Sequence, residues 1–184
     1  MMKKIKSYLM ELVIVTVGVL IALFLSNVKE SSQARKYCKE SIETINNEVV
    51  ANYSDLKGVI ENQKNLRDTL YVYNDAPISI IELLEKVGDL KAAELSNVGL
   101  EFYKRNQIHS IDFKIMSMLN EMNILSEGID DKINRLADFV YSNILEKSKE
   151  NKMVLILHLQ NTLDTEEQLL TLYREYIDEN MDEK

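Results

Sequence analysis

The sequence predicts an all-α fold: one N-terminal transmembrane helix, then a long amphipathic helix and an extracytoplasmic helical bundle. Three observations carry this. One proline and five glycines in 184 residues are too few for the turns of a sandwich, barrel or doubly wound sheet. Leu12 to Leu25 is unbroken apolar sequence except for Thr16 and Gly18. From Lys29 to Asn74, apolar residues recur at helical seam spacing and nothing in the run breaks a helix.

The anchor comes first. Tyr8 to Val28 is about 31 Å long as a helix at 1.5 Å per residue, the thickness of a hydrocarbon core of about 30 Å. A basic start and an apolar core also suit a cleaved signal peptide. However, no small-x-small motif follows Leu25 directly, since Ser32-Gln33-Ala34 is the nearest, and Lys36-Tyr37 before Cys38 is no lipobox. An uncleaved anchor is therefore expected. Positive charge on the two flanks is nearly balanced (Lys3, Lys4 and Lys6 against Lys29, Arg35, Lys36 and Lys39), so the positive-inside rule decides little. A tail of residues 1–7 is most simply left in the cytoplasm. That places the span at 8–28 and the domain 29–184 outside the cytoplasm.

Glu11 lies in the outer turns of this span. A carboxylate there either snorkels to the headgroups or marks a partner. At 100° per residue, Glu11, Val15, Gly18, Ala22 and Ser26 fall within an arc of about 80°. Gly18, Ala22 and Ser26 form a small-xxx-small ladder, which lets helices approach closely. This stripe is the expected contact with a membrane partner, the alternative being a plain lipid-facing anchor.

The long helix is expected over residues 30–74. Ile42, Val49, Leu56, Gln63 and Leu70 make one seam. Ile45, Asn52, Val59, Leu66 and Tyr73 make the second, so the pattern is a 3-4 repeat with Asn52 and Gln63 as polar interruptions. It serves either an intrachain bundle or an intermolecular coiled coil, and the apolar helices elsewhere in the chain favour the bundle. Gly58 weakens the run by about 1 kcal/mol relative to alanine, and suggests a kink or a close contact.

Asn74-Asp75-Ala76-Pro77 is the strongest break. Ser79 and Glu82 form a capping box for a helix over residues 79–88. Residues 89–109 give no clear signal. Ser110 or Asp112 opens a helix to 123, Asn123 to Gly128 reads as a connection, and a last helix is expected over 130–177, with a possible restart at the second capping box, Thr165 and Gln168. The acidic end should fray. Within the last helix Val154, Leu155, Ile156, Leu157 and Leu159 are apolar all the way round. Such a segment is buried on most sides or covered by a subunit.

The chemistry-bearing constellations are missing. Asn106 and Leu155 stand three residues before His109 and His158, where a di-metal carboxylate bundle needs glutamate. Two histidines and one cysteine make a zinc site unfavourable. Met116 and Met118 diverge by about 200° on a helix, so with Met122 they fill a core rather than hold a soft metal. Cys38 has no histidine near it in sequence, and there is no glycine-rich phosphate loop. No enzyme, cofactor, metal or small-molecule substrate is expected. The net charge of −8 and pI near 4.9 argue against nucleic acid. The charge divides into +2 over residues 1–28 and −10 over the remainder.

The anchor Glu11-Leu-Val-Ile-Val-Thr-Val-Gly18-Val-Leu20-Ile21-Ala22-Leu23-Phe-Leu-Ser-Asn27 resembles that of an uncharacterised family of single-pass membrane-anchored helical proteins abundant in Bacteroidota. In that family a Glu precedes Gly-x-Leu-Ile-Ala-Leu and an Asn-containing exit. Phe24 and Val28 depart from its usual Gln and Trp. A looser likeness covers residues 110–144, through Leu119-Asn120, Leu125, Gly128-Ile129-Asp130 and Tyr141. The family has no established activity, and the resemblance implies a cell-envelope setting.

A cytoplasmic tail this short holds no output domain. The expected function is an inner-membrane-anchored accessory or scaffold subunit, set in lipid beside an integral-membrane partner or as a homo-oligomer. The alternative is a periplasmic sensor or ligand-binding bundle that signals laterally through a membrane partner, which requires a concave pocket with convergent polar groups; an enzyme is the remote alternative and requires titratable side chains clustered in a cleft.

Overall fold

The computed structural model describes residues 2–106 and 112–181. Those residues form five helices and no strand: α1 (Met2–Val72), α2 (Ile80–Val87), α3 (Val98–Asn106), α4 (Phe113–Asn143) and α5 (Lys149–Asn180). The chain is all-α.

α1 is 71 residues long, about 107 Å at 1.5 Å per residue, and runs unbroken from the apolar segment into the bundle. The seam read from the sequence is an intrachain one. Ile45, Val49, Leu56, Val59, Leu66 and Leu70 are buried, and so are Asn52 and Gln63. Ile42 at the lower end is half-buried and Tyr73 at the upper end is exposed. Gly58 marks neither a kink nor a close contact: the helix passes straight through it, and a Cβ there would meet nothing within 4 Å.

At the top the chain turns through Pro77. Lys152, fully buried on α5, donates from Nζ to the carbonyls of Tyr73, Asn74 and Ala76 at 3.0, 3.4 and 2.6 Å. One ammonium thereby satisfies carbonyls that the end of α1 leaves without helical partners, while loss of water pulls the pKa of Lys152 down. α2 opens on the Ser79–Glu82 capping box, with the Ser79 N–H donating to Glu82 Oε2 at 2.7 Å. These bonds to the carboxylate lower its pKa. The N–H groups of Ile80 and Ile81 donate to the carbonyls of Glu146 and Ile144, so the α4–α5 connection caps α2. Gly88, at φ +86°, closes the helix with its N–H on the Leu84 carbonyl. Only glycine takes that left-handed conformation at little cost.

Residues 89–97, hereafter the strap, then descend antiparallel to α1 without regular structure. α3 continues along α1. α4 climbs back and α5 descends again, in contact with both α4 and α1. Two apolar clusters fill the interior. The lower joins Ile45, Val49, Leu56 and Ile60 to Leu119, Met122, Ile129, Leu163 and Leu169. The upper joins Leu66, Leu70, Ile80 and Leu83 to Leu136, Leu155, Ile156 and Leu159.

Two expected boundaries are corrected. The connection placed at Asn123–Gly128 is absent, because α4 runs continuously from 113 to 143. Met122, Ser126, Ile129, Leu136 and Val140 keep one buried face through this stretch, and that packing outweighs a glycine cost of about 1 kcal/mol at Gly128. Conversely, the helix expected over 130–177 is broken at 144–148. There Ser148 caps α5 by accepting the Asn151 N–H at 3.3 Å. No restart occurs at Thr165, which lies mid-helix with its hydroxyl on the Asn161 carbonyl. Of the two proposed helix openers, Asp112 caps α4 by accepting the Lys114 N–H at 2.7 Å, whereas Ser110 lies outside the described residues.

Candidate functional site

Two regions of the molecule lack an ordinary packing explanation. The first is the exposed apolar segment of α1. It is the one helix among the described residues that is long and apolar enough to cross a membrane. Its most apolar window has a mean hydropathy of 2.3, and none of that window is buried. A core helix of similar composition would be covered by the protein. Here Leu12, Ile14, Val15, Leu20, Ile21, Leu23, Phe24 and Leu25 are all more than half exposed. The protein thus carries one candidate membrane-spanning helix near its N-terminus. Glu11, Val15, Gly18, Ala22 and Ser26 are exposed along it. No atom would lie within 4 Å of a Cβ at Gly18, and the Ser26 hydroxyl donates to Glu30 one turn on, at 3.3 Å. Among the described residues, no other helix packs against the stripe.

The second region is a polar seam where α1 meets the strap. Glu48, Asn52, Asp55 and Asn62 follow one flank of α1 and receive strap and α3 N–H groups in register. Asn62 Oδ1 accepts from Lys91 at 3.2 Å, Asp55 Oδ2 from Glu94 at 2.9 Å, Asn52 Oδ1 from Ser96 at 3.0 Å and Glu48 Oε2 from Gly99 at 2.9 Å. Asn52 also donates to the Ser96 carbonyl and to the Tyr173 hydroxyl. A segment without sheet or helix must find partners for its backbone, and here α1 side chains supply them. Gly99 permits the closest approach, because a Cβ there would stand 3.0 Å from Glu48 Oε2 and 3.2 Å from Ile45 Cγ1.

The deepest member of this seam is Gln63, fully buried between Ile60 of the lower cluster and Leu66 of the upper one. Its amide nitrogen donates to the Lys91 carbonyl at 3.1 Å and to Glu166 Oε1 at 2.9 Å. Glu166 is itself fully buried, and loss of water pushes its pKa up to about 7. Burial likewise lifts the hydroxyls of Tyr173 and Tyr176, each to about 12. Asn52 and Gln63 were legible in the sequence as interruptions of the seam. Glu166 was not, since it stands beside Glu167 with no seam spacing that marks it as buried.

The apolar run on α5 divides. Leu155, Ile156 and Leu159 are buried in the upper cluster. Val154 is 38 % exposed and Leu157 is 64 % exposed, on the outer face. His158 sets its ring 5.3 Å from that of Phe139, while His109 lies outside the described residues. Met122 is buried in the lower cluster, and Met116 and Met118 pack against it, as does Cys38. No group of three or more His, Cys, Asp or Glu side chains among the described residues is placed to hold a metal ion. A void of about 10 Å³ lies beside Asn52 and Tyr173, room for about one water molecule. The larger hollows are open grooves. One follows α1 past Ser31, Arg35, Lys39 and Asn46 to Met181.

Fold and site together define an all-α protein with one candidate membrane-spanning helix and a solid, strap-bound bundle. Comparison of the chain with known protein families, curated proteins and solved structures finds no match.

Proposed function

We propose that this protein is a membrane-anchored accessory or scaffold subunit. Its domain is held in the periplasm beside an integral-membrane partner, or beside further copies of itself, with the short N-terminus in the cytoplasm. The observation that carries this reading is the continuity of α1. The same helix supplies the exposed apolar segment and the main seam of the bundle, so the domain is attached to its anchor without a linker. In a bilayer the Glu11–Gly18–Ala22–Ser26 stripe would be the route to a partner helix. Small residues permit close packing, and a carboxylate at membrane depth favours company. The exposed Leu157 and Val154 on α5 offer a second contact. The cell-envelope setting is that of the Bacteroidota family its anchor resembles. A sensor reading would have to use the open groove of about 840 Å³ beside Ser31, Arg35, Lys39 and Asn46, since the void beside Asn52 and Tyr173 is far below the roughly 300–1,000 Å³ of small-molecule pockets.

Affinity purification of the tagged full chain in mild detergent, with crosslinking before extraction, tests the proposal. Recovery of a stable membrane partner, or of a defined oligomer, is expected. Recovery of the monomer alone would overturn it.

A further inference from the structure

We infer that Glu166 and Gln63 form a proton-operated latch on the strap: neutral Glu166 holds residues 89–97 against α1, and ionised Glu166 loosens them.

The geometry begins with a hydrogen-bond count. A carboxamide has two N–H donors and one acceptor oxygen. Both donors of Gln63 are spent, one on the Lys91 carbonyl and one on Glu166 Oε1. Gln63 Oε1 and Glu166 Oε2 are buried and receive no hydrogen bond. Two orphan acceptors in one contact are costly, and a single proton on Glu166 relieves the shortage, because a neutral carboxylic acid donates as well as accepts. An acid facing a carboxamide can exchange two hydrogen bonds with it. Once ionised, Glu166 is a buried charge with one neutral donor, and such a charge draws water or forces its cover open.

The strap is the weakest part of that cover. Helices α1 and α5 flank the pair with buried Ile60, Leu66, Leu163 and Leu169. Along the strap Lys91, Ala92, Glu94 and Ser96 are exposed, and Leu90, Ala93 and Leu95 are only half-buried. The strap is held by its backbone bonds to α1, of which the Lys91 carbonyl on Gln63 is one, and by the partial packing of Leu90, Ala93 and Leu95 on the two clusters.

The charged neighbours leave Glu166 uncompensated. Lys64 of α1 is ion-paired with Glu167. Lys132 of α4 is committed to Asn161 and Thr165. The Lys91 side chain of the strap points to solvent, and Glu167, next in the chain on α5, opposes ionisation. Burial pushes the pKa of Glu166 to about 7, which puts the transition near neutral pH.

The experiment is hydrogen–deuterium exchange on the full chain in nanodiscs, at about pH 5.5 and about pH 8.5, corrected for intrinsic exchange rates. Protection across 89–97 should fall on the order of tenfold at the higher pH, as expected for a carboxyl that ionises more readily in the open state, while α4 stays unchanged. Glu166→Gln should abolish that dependence. Equal strap protection at both pH values, or a pH dependence that survives in Glu166→Gln, would overturn the latch. If the variant does not fold, a carboxyl titration of wild-type protein ¹³C-labelled at glutamate decides. One side chain must titrate near neutral pH, and its absence refutes the inference.

Discussion

Lys152 shows how a single side chain can fasten two ends of the molecule. It rises from the first turn of α5, yet its ammonium closes the turn after α1 through three carbonyls. Lys152→Met keeps the length of the side chain and removes the donors, leaving the Asn74 carbonyl without a partner while Tyr73 and Ala76 keep their turn bonds from the Ala76 and Ile78 N–H groups. The expected loss is about 1–2 kcal/mol, the cost of stranding one partly buried acceptor and losing two charge-assisted bonds to others. It would be measured by denaturant unfolding of the detergent-solubilised chain, followed by far-UV circular dichroism. A loss within error of zero would mean that water replaces the ammonium. Glu166 works in the opposite sense. Its folded pKa of about 7 lies above the ordinary 4.5, so the folded state prefers the protonated form. The penalty is absent below about pH 4.5, grows as the unfolded chain ionises first, and is complete above about pH 7. Glu166→Gln should therefore stabilise the domain at pH 8 by up to about 3 kcal/mol and do nothing near pH 4. A stability difference that does not change with pH would contradict this assignment.

At the scale of the element, legibility followed the strength of the periodic signal. The α1 seam, the Ser79–Glu82 box and the Pro77 break were each visible, because each depends on spacing or on one special residue. The strap was not. Leu90 to Asn97 has neither helical nor strand period, and its conformation is imposed by Asn52, Asp55 and Asn62, which lie some thirty to forty-five residues earlier in the chain. Nor was the α4–α5 break legible, since Leu145-Glu146-Lys147 contains no glycine or proline and the turn is fixed by α2 amides reaching its carbonyls. Gly128 misled for the opposite reason: a residue that often ends helices sits in one whose buried face continues past it. Gly58 is another helical glycine of the bundle, and nothing faces it. Gly58→Ala should raise stability by about 0.5–1 kcal/mol through helix propensity alone, as read from the same unfolding curves. A decrease would show that the outer face of α1 is packed against another molecule.

For the whole molecule, the question is what the exposed end of α1 contacts. Lipid alone would satisfy the apolar side chains, but it would give no use to a small-residue ladder in register with Glu11. On an ideal helix that stripe falls on the same side as Asn47, Ser54, Gly58 and Asn65, which are exposed on the face of α1 turned away from the core. The anchor stripe and the outer face of the bundle would then be offered to one partner together. Gly18→Leu isolates the membrane part of this arrangement. A Cβ at Gly18 meets nothing within 4 Å in the monomer, so the larger side chain leaves the fold intact and obstructs only a helix lying against the ladder. The expected outcome is unchanged thermal unfolding of the domain together with loss of the crosslinked partner or oligomer. Unchanged crosslinking in the variant would exclude the stripe as the contact and leave the outer face of the bundle to carry the association.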